Sequence, residues 1–375
     1  MNVLLAGGGT GGHVYPALAI VEALRRHDPS ARALFVGSRF GMEASLVPAS
    51  GVPFVGLAVR PPRSRAPLRL ALSAASVGIS LVRAFAVVAR FHPDAVVATG
   101  GIAAVPPVIA AAVMNVPVIV LEGNVIPGRT NLWLARYSRV VAVSSDEAAA
   151  RLPPGRSVVT GLPIRRDVYS ATREAGVAAF GLDPNRKTVL IIGGSQGAAR
   201  LNSAAGDAVG RLSARADLQV IHQVGQGWGG SERVGAASAA GAVGGIRYLR
   251  VPYLQQIGEA YACADLLVSR CGANALAEIT ACGRPAILVP YPHAADDHQA
   301  RNAEPLVASG AAVVVPNAQL TGAALADEIA AILDTPGRLE AMAAAALSRG
   351  RPDAADRVIA LISRLAQPLP EGVHG

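Results

Sequence analysis

The sequence predicts an α/β protein made of two Rossmann-like, doubly wound domains. Two segments, residues 3–13 and 189–198, each run from a short apolar stretch into a group of glycines and then into a helical pattern. That order is the strand–turn–helix opening of a doubly wound domain. At 375 residues, the chain is long enough for two such domains, each with its own core.

Further apolar runs follow each opening, and their lack of polar alternation is typical of parallel strands that are buried on both faces. These runs are residues 33–36, 95–98 and 116–121 in the first half, and residues 219–221, 266–268, 286–289 and 312–315 in the second half. Helical periodicity marks residues 16–26, 199–212 and 354–365. The pattern therefore alternates strands with helices, as a doubly wound fold requires.

The domain limits follow from these runs. We place the first domain at residues 1–163 and the second at residues 164–344, and a helix at about 345–366 is positioned to pack back on the first domain. The segment 231–245 is rich in glycine and alanine, which predicts a loose loop. The tail 367–375 contains two prolines and two glycines and is expected to be disordered.

The charge pattern indicates an anionic partner. The formal net charge is +8 and almost every basic residue is arginine, yet aromatic residues are only 4% and no nucleic-acid-binding motif is present, so nucleic acid is disfavoured. Residues 44–93 contain no acidic residue. The arginines of that stretch are Arg60, Arg63, Arg65, Arg69, Arg83 and Arg90.

The apolar run Leu70 to Val82 lies inside this acid-free stretch. It is shorter than the ~20 residues that span a bilayer, so it predicts a buried or interfacial helix. Together with the arginines, it predicts peripheral attachment to an anionic membrane surface; alternatively, the run is core and the arginines are solvated. The chain opens on a strand-like segment and not on a signal peptide, and its three cysteines fit no disulfide framework, which favours a cytoplasmic protein.

Both glycine-rich segments are suited to binding phosphate, since glycines let the backbone approach and the following helix adds its positive end. Either segment alone could be an ordinary tight turn. No acidic residue stands on a strand end about 20 residues after Gly12 to hold a ribose, so NAD is disfavoured and no cofactor is expected. A further pair, Gly100 and Gly101, ends a predicted strand and either lines the same site or forms a turn.

Polar residues after the later strands are the next candidates. Glu278 falls about one and a half turns into a predicted helix, where a carboxylate accepts two hydrogen bonds from a ribose diol or is simply solvated. The segment Tyr291 to Gln299 follows another strand, at the edge where ligands bind in parallel sheets. Its histidines and aspartates lack a second cluster and an Asp-x-Asp motif, so no metal site is expected.

His13 follows the first glycine segment at the start of a helix. The positive end of the helix favours the neutral imidazole, which can accept a proton. As an equal alternative, His13 caps the helix or contacts a phosphate oxygen.

The motifs as a set resemble the MurG family of N-acetylglucosaminyltransferases. They are Gly8-Gly9-Thr10-Gly11-Gly12-His13, Gly193-Gly194-Ser195-Gln196-Gly197-Ala198 and Asp296-Asp297-His298-Gln299, and the resemblance runs in order from residue 3 to about 360. It implies the GT-B fold, in which two Rossmann-like domains face each other across a cleft. It also implies an inverting enzyme that moves N-acetylglucosamine from UDP-N-acetylglucosamine to lipid I, giving lipid II for peptidoglycan.

The resemblance also implies roles for individual residues. Thr10, Gly11 and Gly12 would lie by the donor and the acceptor diphosphate, and Asn124 and Arg165 match donor-contacting positions. In the second domain the matching residues are Ser195 for the UDP diphosphate, Leu254 for the uracil pocket, Glu278 for the ribose hydroxyls and Gln299 for the sugar. The family usually has His-Glu-Gln-Asn where this chain has Leu121-Glu122-Gly123-Asn124, and Gly-Asn-Pro where it has Gly161-Leu162-Pro163, so polar side chains are lost here.

The predicted reaction is a single displacement in which the C4 hydroxyl of N-acetylmuramic acid attacks the anomeric carbon and UDP leaves. His13 is the expected base, with Glu122 as the alternative. Rival readings are a GT-B transferase that acts on another lipid such as diacylglycerol, a UDP-sugar epimerase, and a UDP-sugar-binding regulator without activity. The intact segment Thr10 to His13 disfavours the regulator.

Overall fold

The computed structural model describes residues 1–59, 67–194, 197–225 and 239–366. Some of the features predicted above lie outside these residues: Ser195, the arginines Arg60, Arg63 and Arg65, residues 231–238 of the expected loop, and the tail 367–375. The chain divides into two compact units. One consists of Met1–Arg165 and the segment that begins at Pro352, and the other is Arg166–Arg351.

The first unit contains a seven-stranded parallel sheet. Its strands are β1 (Asn2–Gly7), β2 (Arg32–Ser38), β3 (Phe54–Leu57), β4 (Ala95–Gly100), β5 (Val118–Glu122), β6 (Val140–Val143) and β7 (Ser157–Val159). They lie in the order β3-β2-β1-β4-β5-β6-β7. The direction in which strands are added reverses between β1 and β4, and such a switch point is where doubly wound sheets bind ligands at their carboxyl ends.

Helices cover this sheet. They are α1 (Gly11–His27), α2 (Glu43–Ala49), α3 (Pro67–Phe91), α4 (Val105–Val113), α5 (Arg129–Leu134) and α6 (Asp146–Ala149), with 3-10 turns at Ile102–Ala104 and Ala135–Tyr137. The central strands carry almost only aliphatic residues, and every residue of β4 is buried. α3 is longer than the apolar run that predicted it. Among the described residues, no helix has both the length and the apolar character to cross a bilayer.

The second unit repeats the plan. Its strands are β8 (Lys187–Ile192), β9 (Leu218–Gln223), β10 (Ala239–Val243), β11 (Ile246–Val251), β12 (Leu266–Ser269), β13 (Ala286–Leu288) and β14 (Ala312–Val314), in the order β10-β11-β9-β8-β12-β13-β14. The switch point lies between β8 and β12, so the strand that carries the glycine segment is again next to it. Leu190 and Val189 belong to two separate core clusters, which shows that both faces of the sheet are covered.

The remaining helices complete both units. They are α7 (Arg166–Ser170), α8 (Arg173–Phe180), α9 (Ala199–Arg211), α10 (Ile257–Cys263), α11 (Ala273–Ala281), α12 (His298–Ala308), α13 (Gly322–Asp334), α14 (Arg338–Arg349) and α15 (Ala354–Ala366), with a 3-10 turn at Ala295–Asp297. α15 belongs to the first unit and packs on α1. Asp356 of α15 accepts hydrogen bonds from Arg26 Nη2 at 2.6 Å and from His27 Nε2 at 2.8 Å.

The two-domain α/β prediction is confirmed, and one detail of it is wrong. The segment 231–245 was expected to be a loose loop, but β10 occupies residues 239–243 and pairs with β11. The pair is antiparallel, in contrast to the other strand pairs of the described chain. Small residues such as Ala242 and Gly241 give no sequence signal for a strand. This edge strand is held by its backbone hydrogen bonds and needs no large apolar side chain.

Candidate active site

The first glycine segment joins β1 to α1 at the switch point of the first sheet. Thr10 is the N-cap residue of α1, but its side chain makes no capping hydrogen bond. In contrast, Thr172 and Thr321 accept hydrogen bonds from the first turns of α8 and α13. The side chain of Thr10 therefore does not occupy the N-terminus of α1, and the positive end of this helix lies at the glycine segment, as in helices that bind phosphate groups.

His13 lies in the first turn of α1 with one ring nitrogen fixed. Its Nδ1 is 2.8 Å from the carbonyl oxygen of Gly8. Since a carbonyl oxygen only accepts hydrogen bonds, Nδ1 carries the proton of the neutral ring, and this assignment leaves Nε2 as an acceptor. The half-buried imidazole therefore presents a nitrogen that can take a proton.

The glycine pair after β4 packs against this imidazole. Gly100 has φ of +114°, and a Cβ atom there would lie 2.9 Å from His13 Nε2 and 3.1 Å from Asn131 Oδ1. A larger residue would be strained and would press on both groups, so glycine is required. Asn131, which the sequence did not single out, is 7% exposed, and its Oδ1 has no hydrogen-bond partner among the described residues. A buried polar oxygen therefore lies on the histidine side of this loop.

Glu122 is buried at the end of β5, and its carboxylate is fully occupied. Oε1 accepts from the backbone and side-chain nitrogens of Asn124 at 2.8 and 3.0 Å. Oε2 accepts from Gly128 N at 2.8 Å and from Asn131 Nδ2 at 2.9 Å. Four donors use the hydrogen-bonding capacity of both oxygens. Glu122 therefore shapes the loop that carries Asn124, and this geometry opposes its alternative role as base.

The ring of Tyr15 lies between Arg165 and the first glycine segment. Its guanidinium carbon is 5.8 Å from the centre of the Tyr15 ring. The same ring approaches Gly11, where a Cβ atom would lie 3.0 Å from Tyr15 Cε2. The structure thus brings Arg165 next to the Thr10–Gly12 turn, although 150 residues separate them. Tyr15 was missed because a single aromatic residue in a helix has no signal of its own.

The second glycine segment joins β8 to α9, and it is supported differently. Ala198, the N-cap residue of α9, cannot cap the helix with its side chain. Gly197 has φ of +74°, and a Cβ atom there would overlap the carbonyl oxygen of Val224. Asn202 Nδ2 donates to that same oxygen at 2.7 Å, and Gln223 Nε2 donates to Gly194 O at 3.2 Å. Neutral amides therefore hold this loop.

A buried histidine extends this support. His222 is 1% exposed, and its Nε2 is 3.2 Å from Asn202 Oδ1 while its Nδ1 is 2.7 Å from Tyr248 Oη. Because the amide oxygen of Asn202 accepts, Nε2 carries the proton and Nδ1 accepts from the tyrosine hydroxyl. Burial, aided by the charge of Arg250, lowers the pKa of His222 to about 4. The ring is therefore neutral near pH 7.

Glu278 lies in α11, where a buried tyrosine orients it. Tyr261 Oη donates to Glu278 Oε2 at 3.0 Å. Tyr261 is 1% exposed, and its burial, followed by the charge of Glu278, raises the pKa of its hydroxyl. The phenol therefore stays protonated and keeps donating to the half-buried carboxylate.

Gln299, in the first turn of α12, joins the ends of two strands. Its Oε1 accepts from Cys271 N at 3.2 Å, after β12, and from Tyr291 N at 3.0 Å, after β13. Just before α12, Asp296 and Asp297 both have φ of 52°, a left-handed conformation that costs energy in a non-glycine residue. Residues held in such conformations are concentrated at functional sites.

Arg270 fixes the same edge of the sheet. Its Nη1 donates to Val289 O at 3.1 Å, to Pro290 O at 3.2 Å and to Asn317 Oδ1 at 2.9 Å. Desolvation by burial lowers the pKa of its guanidinium. The structure therefore identifies Arg270 as a residue that joins the loops after β12 and β13.

Leu254 and the cysteines Cys263 and Cys271 are buried in the interior of the second unit. Leu254 follows β11 and is 5% exposed within a core cluster of the second unit. Burial raises the pKa of Cys263 to about 11 and that of Cys271 to about 12, so these thiols stay protonated and do not act as nucleophiles. In the part of the chain that the structure describes, no three His, Cys, Asp or Glu side chains are grouped as a metal site would require.

Two doubly wound units, each with a glycine segment followed by a helix at its switch point, are the arrangement of the GT-B class of glycosyltransferases. Residues 3–143 match the glycosyltransferase family 28 N-terminal domain, and residues 188–358 match the family 28 C-terminal domain. The chain belongs to glycosyltransferase family 28 and, within it, to the MurG family.

Relatives and solved structures support this membership. A UDP-N-acetylglucosamine–N-acetylmuramyl-(pentapeptide) pyrophosphoryl-undecaprenol N-acetylglucosamine transferase of Desulfitobacterium hafniense is 40% identical over 365 residues, which are 96% of this chain and 98% of that protein. The transferase of the same name from Lactiplantibacillus plantarum is 37% identical, over 96% of this chain and 98% of its own. The structure of Acinetobacter baumannii MurG is similar with a TM-score of 0.74 and 26% identity, over 97% of this chain and 99% of that one.

The fold is shared more widely than the activity. A UDP-GlcNAc 2-epimerase from Neisseria meningitidis is similar with a TM-score of 0.68 but only 13% identity, over 97% of this chain and 100% of that one. At this identity the likeness shows the fold alone.

Proposed function

We propose that this enzyme transfers N-acetylglucosamine from UDP-N-acetylglucosamine to the N-acetylmuramic acid of undecaprenyl-pyrophosphoryl-MurNAc-pentapeptide, which converts lipid I to lipid II in peptidoglycan synthesis. The observation that carries this proposal is the near-full-length similarity to transferases whose names state this reaction. The local geometry agrees, because in each unit a glycine segment leads into a helix whose N-cap side chain makes no capping hydrogen bond, and the positive end of a helix attracts a diphosphate.

The donor is proposed to bind chiefly to the second unit. The positive end of α9 and the backbone of Gly193 to Gly197, with Ser195 at its centre, take the UDP diphosphate. Glu278, which the Tyr261 hydroxyl orients, takes the ribose diol, because a carboxylate accepts hydrogen bonds from two hydroxyls. Gln299 is proposed to face the sugar and Leu254 the uracil. Asn124, Arg165 and the Thr10–Gly12 turn complete the set from the first unit.

The proposed chemistry is a single displacement. His13 Nε2 takes the proton of the C4 hydroxyl while that oxygen bonds to the anomeric carbon, and the bond from that carbon to the UDP oxygen breaks. Attack opposite the leaving group inverts the anomeric centre. Backbone N–H groups at the start of α9 stabilise the charge that grows on UDP, and each such donor is typically worth about 10²–10³ in rate.

Transfer of labelled N-acetylglucosamine to a soluble lipid I analogue tests the assignment. We expect a disaccharide product that depends on both substrates. Incubation with the donor alone distinguishes a transferase from an epimerase, because an epimerase would change the sugar without any acceptor. Transfer to diacylglycerol but not to the lipid I analogue would replace the proposed acceptor, and binding of UDP-N-acetylglucosamine without turnover would indicate a regulator.

We further propose that α3 attaches the enzyme to the inner face of the cell membrane. Two apolar side chains of this helix are exposed to solvent, Ile79 by 71% and Val82 by 74%, and the exposed Arg83 follows directly. Residues 44–93 carry no acidic residue that would be repelled by anionic lipid. Each basic residue near such a surface contributes about 1 kcal/mol of attraction, screened by salt.

Vesicle co-sedimentation tests this attachment. We expect binding to vesicles that contain anionic lipid, weaker binding to zwitterionic vesicles, and a clear loss in the variant Ile79→Ser/Val82→Ser. Leu347→Ser is the matched control, because Leu347 is 60% exposed on α14 of the second unit. Equal binding to both vesicle types, or equal loss in the control, would exclude α3 as the attachment surface.

A further inference from the structure

Glu43 is a buried carboxylate that lies directly under the first glycine segment. It is the first residue of α2 and has no solvent exposure. Its Oε1 accepts from Ser38 N at 2.9 Å and its Oε2 accepts from Gly9 N at 2.9 Å. A Cβ atom at Gly8 or Gly41 would overlap its carboxylate. Burial of a carboxylate costs energy unless hydrogen bonds compensate, so its place under this loop requires a reason.

The same peptide unit that binds Glu43 also binds His13. The N–H of Gly9 and the carbonyl of Gly8 belong to one peptide group, and no peptide bond among the described residues is cis. In a trans peptide the N–H and C=O point in opposite directions. Glu43 Oε2 therefore lies on one side of this group at 2.9 Å from Gly9 N, and His13 Nδ1 lies on the other side at 2.8 Å from Gly8 O.

We propose that Glu43 is a positioning residue for His13, which it orients through the Gly8–Gly9 peptide group. The negative carboxylate polarises the peptide, which makes the Gly8 oxygen a stronger acceptor for Nδ1–H, since hydrogen bonds in a chain strengthen one another. The ring is thereby held in the Nδ1–H form, in which Nε2 carries no proton and can accept one. No proton passes along this chain of hydrogen bonds.

This inference rests on the proposed role of His13 as base, but its first test needs no activity. Nitrogen NMR of histidine-labelled enzyme, with the His13 signals assigned by their loss in His13→Gln, reports which ring nitrogen carries the proton. In the wild-type enzyme we expect the neutral ring of His13 to be the Nδ1–H form. A neutral ring that is protonated on Nε2 would overturn the inference, whether or not the enzyme transfers N-acetylglucosamine.

The variant Glu43→Gln tests the carboxylate itself. Glutamine keeps the shape of glutamate but removes its charge. Its amide nitrogen only donates, so its two terminal atoms cannot accept hydrogen bonds from Ser38 N and Gly9 N as the two carboxylate oxygens do. We expect kcat to fall by about 10–100-fold, the size typical of a misdirected catalytic group, with the KM for the donor changed less than threefold. The Nδ1–H signal of His13 should weaken in the same variant.

Ser38→Ala is the matched control. It removes the hydroxyl that donates to Val59 O at 2.8 Å, yet it keeps the backbone N–H that binds Glu43. A purely structural role of Glu43 predicts equal effects of Ser38→Ala and Glu43→Gln on kcat, and that result would contradict the inference. If Glu43→Gln does not fold, Glu43→Asp keeps the charge and is compared by the same NMR signal, which should remain that of the Nδ1–H form.

Discussion

The two glycine segments lie at the switch points of two similar doubly wound sheets, yet the residues that support them differ in charge. Below the first segment lies the carboxylate of Glu43, which accepts from Gly9 N, and the segment in turn accepts from His13. The second segment is held by the neutral side chains of Gln223 and Asn202. The comparison teaches that the two switch points share a glycine segment followed by a helix, whereas the residues that support the segment differ; the charged support lies under the segment to which we assign proton transfer.

The largest expected effect is at the first segment. His13→Ala removes the proposed base, so kcat should fall by about 10²–10⁴-fold while the donor still binds. Steady-state turnover with the lipid I analogue measures the loss. His27→Ala is the control, because His27 lies at the other end of the same helix and is half exposed. Turnover of His13→Ala within a few-fold of wild type would remove His13 as base.

At the second segment we expect an effect on donor binding. Gly197→Ala places a Cβ atom against Val224 O in a left-handed conformation, and such strain costs about 1–3 kcal/mol. The KM for UDP-N-acetylglucosamine should therefore rise about tenfold or more. Gly310→Ala is the matched control, since Gly310 of the same unit also has a positive φ of +79° but no atom lies within 4 Å of its Cβ position. Equal KM changes in the two variants would show that the contact with Val224 is unimportant.

A smaller effect is expected from pH. His222 has a pKa of about 4 in the folded protein, below its ordinary 6.5, so folding favours the neutral ring. This contribution to stability is present above pH 6.5 and is lost as the pH falls from 6.5 toward 4, by about 3 kcal/mol at most. Calorimetric unfolding of wild type and His222→Gln measures it.

The variant should be less stable at pH 7 and should lose less stability on acidification. His92→Asn serves as control, because His92 is exposed and has a positive φ of 49° that asparagine tolerates. If wild type and His222→Gln lose stability in parallel between pH 6.5 and 4, the ring is not held neutral by the fold.

The sequence predicted the parts of the fold that repeat a local pattern. Apolar runs followed by glycines identified β1 and β8, and the central strands followed from their aliphatic composition. β10 could not be predicted, because its residues are small and its place at an edge is set by pairing with β11. β6, a run of Val and Ala, is too short to be distinguished from helix without its neighbours.

Site residues that belong to a local motif could be predicted from the sequence. Distant residues that support them could not. His13 and Glu278 follow glycines or strand ends that mark them in the sequence. Tyr261, which donates to Glu278 across 17 positions, has no such mark. Glu43 directly precedes the acid-free stretch and resembles a solvated residue at the start of a short helix; only the fold places it under Gly8 and Gly9.

Calorimetric titration of UDP into wild type, His13→Ala and Gly197→Ala, without acceptor, tests the division between the two segments most directly. We predict that His13→Ala binds UDP with wild-type affinity, whereas Gly197→Ala binds it about tenfold more weakly, because we assign the UDP diphosphate chiefly to the second segment. Wild-type affinity in Gly197→Ala together with weakened binding in His13→Ala would contradict the account.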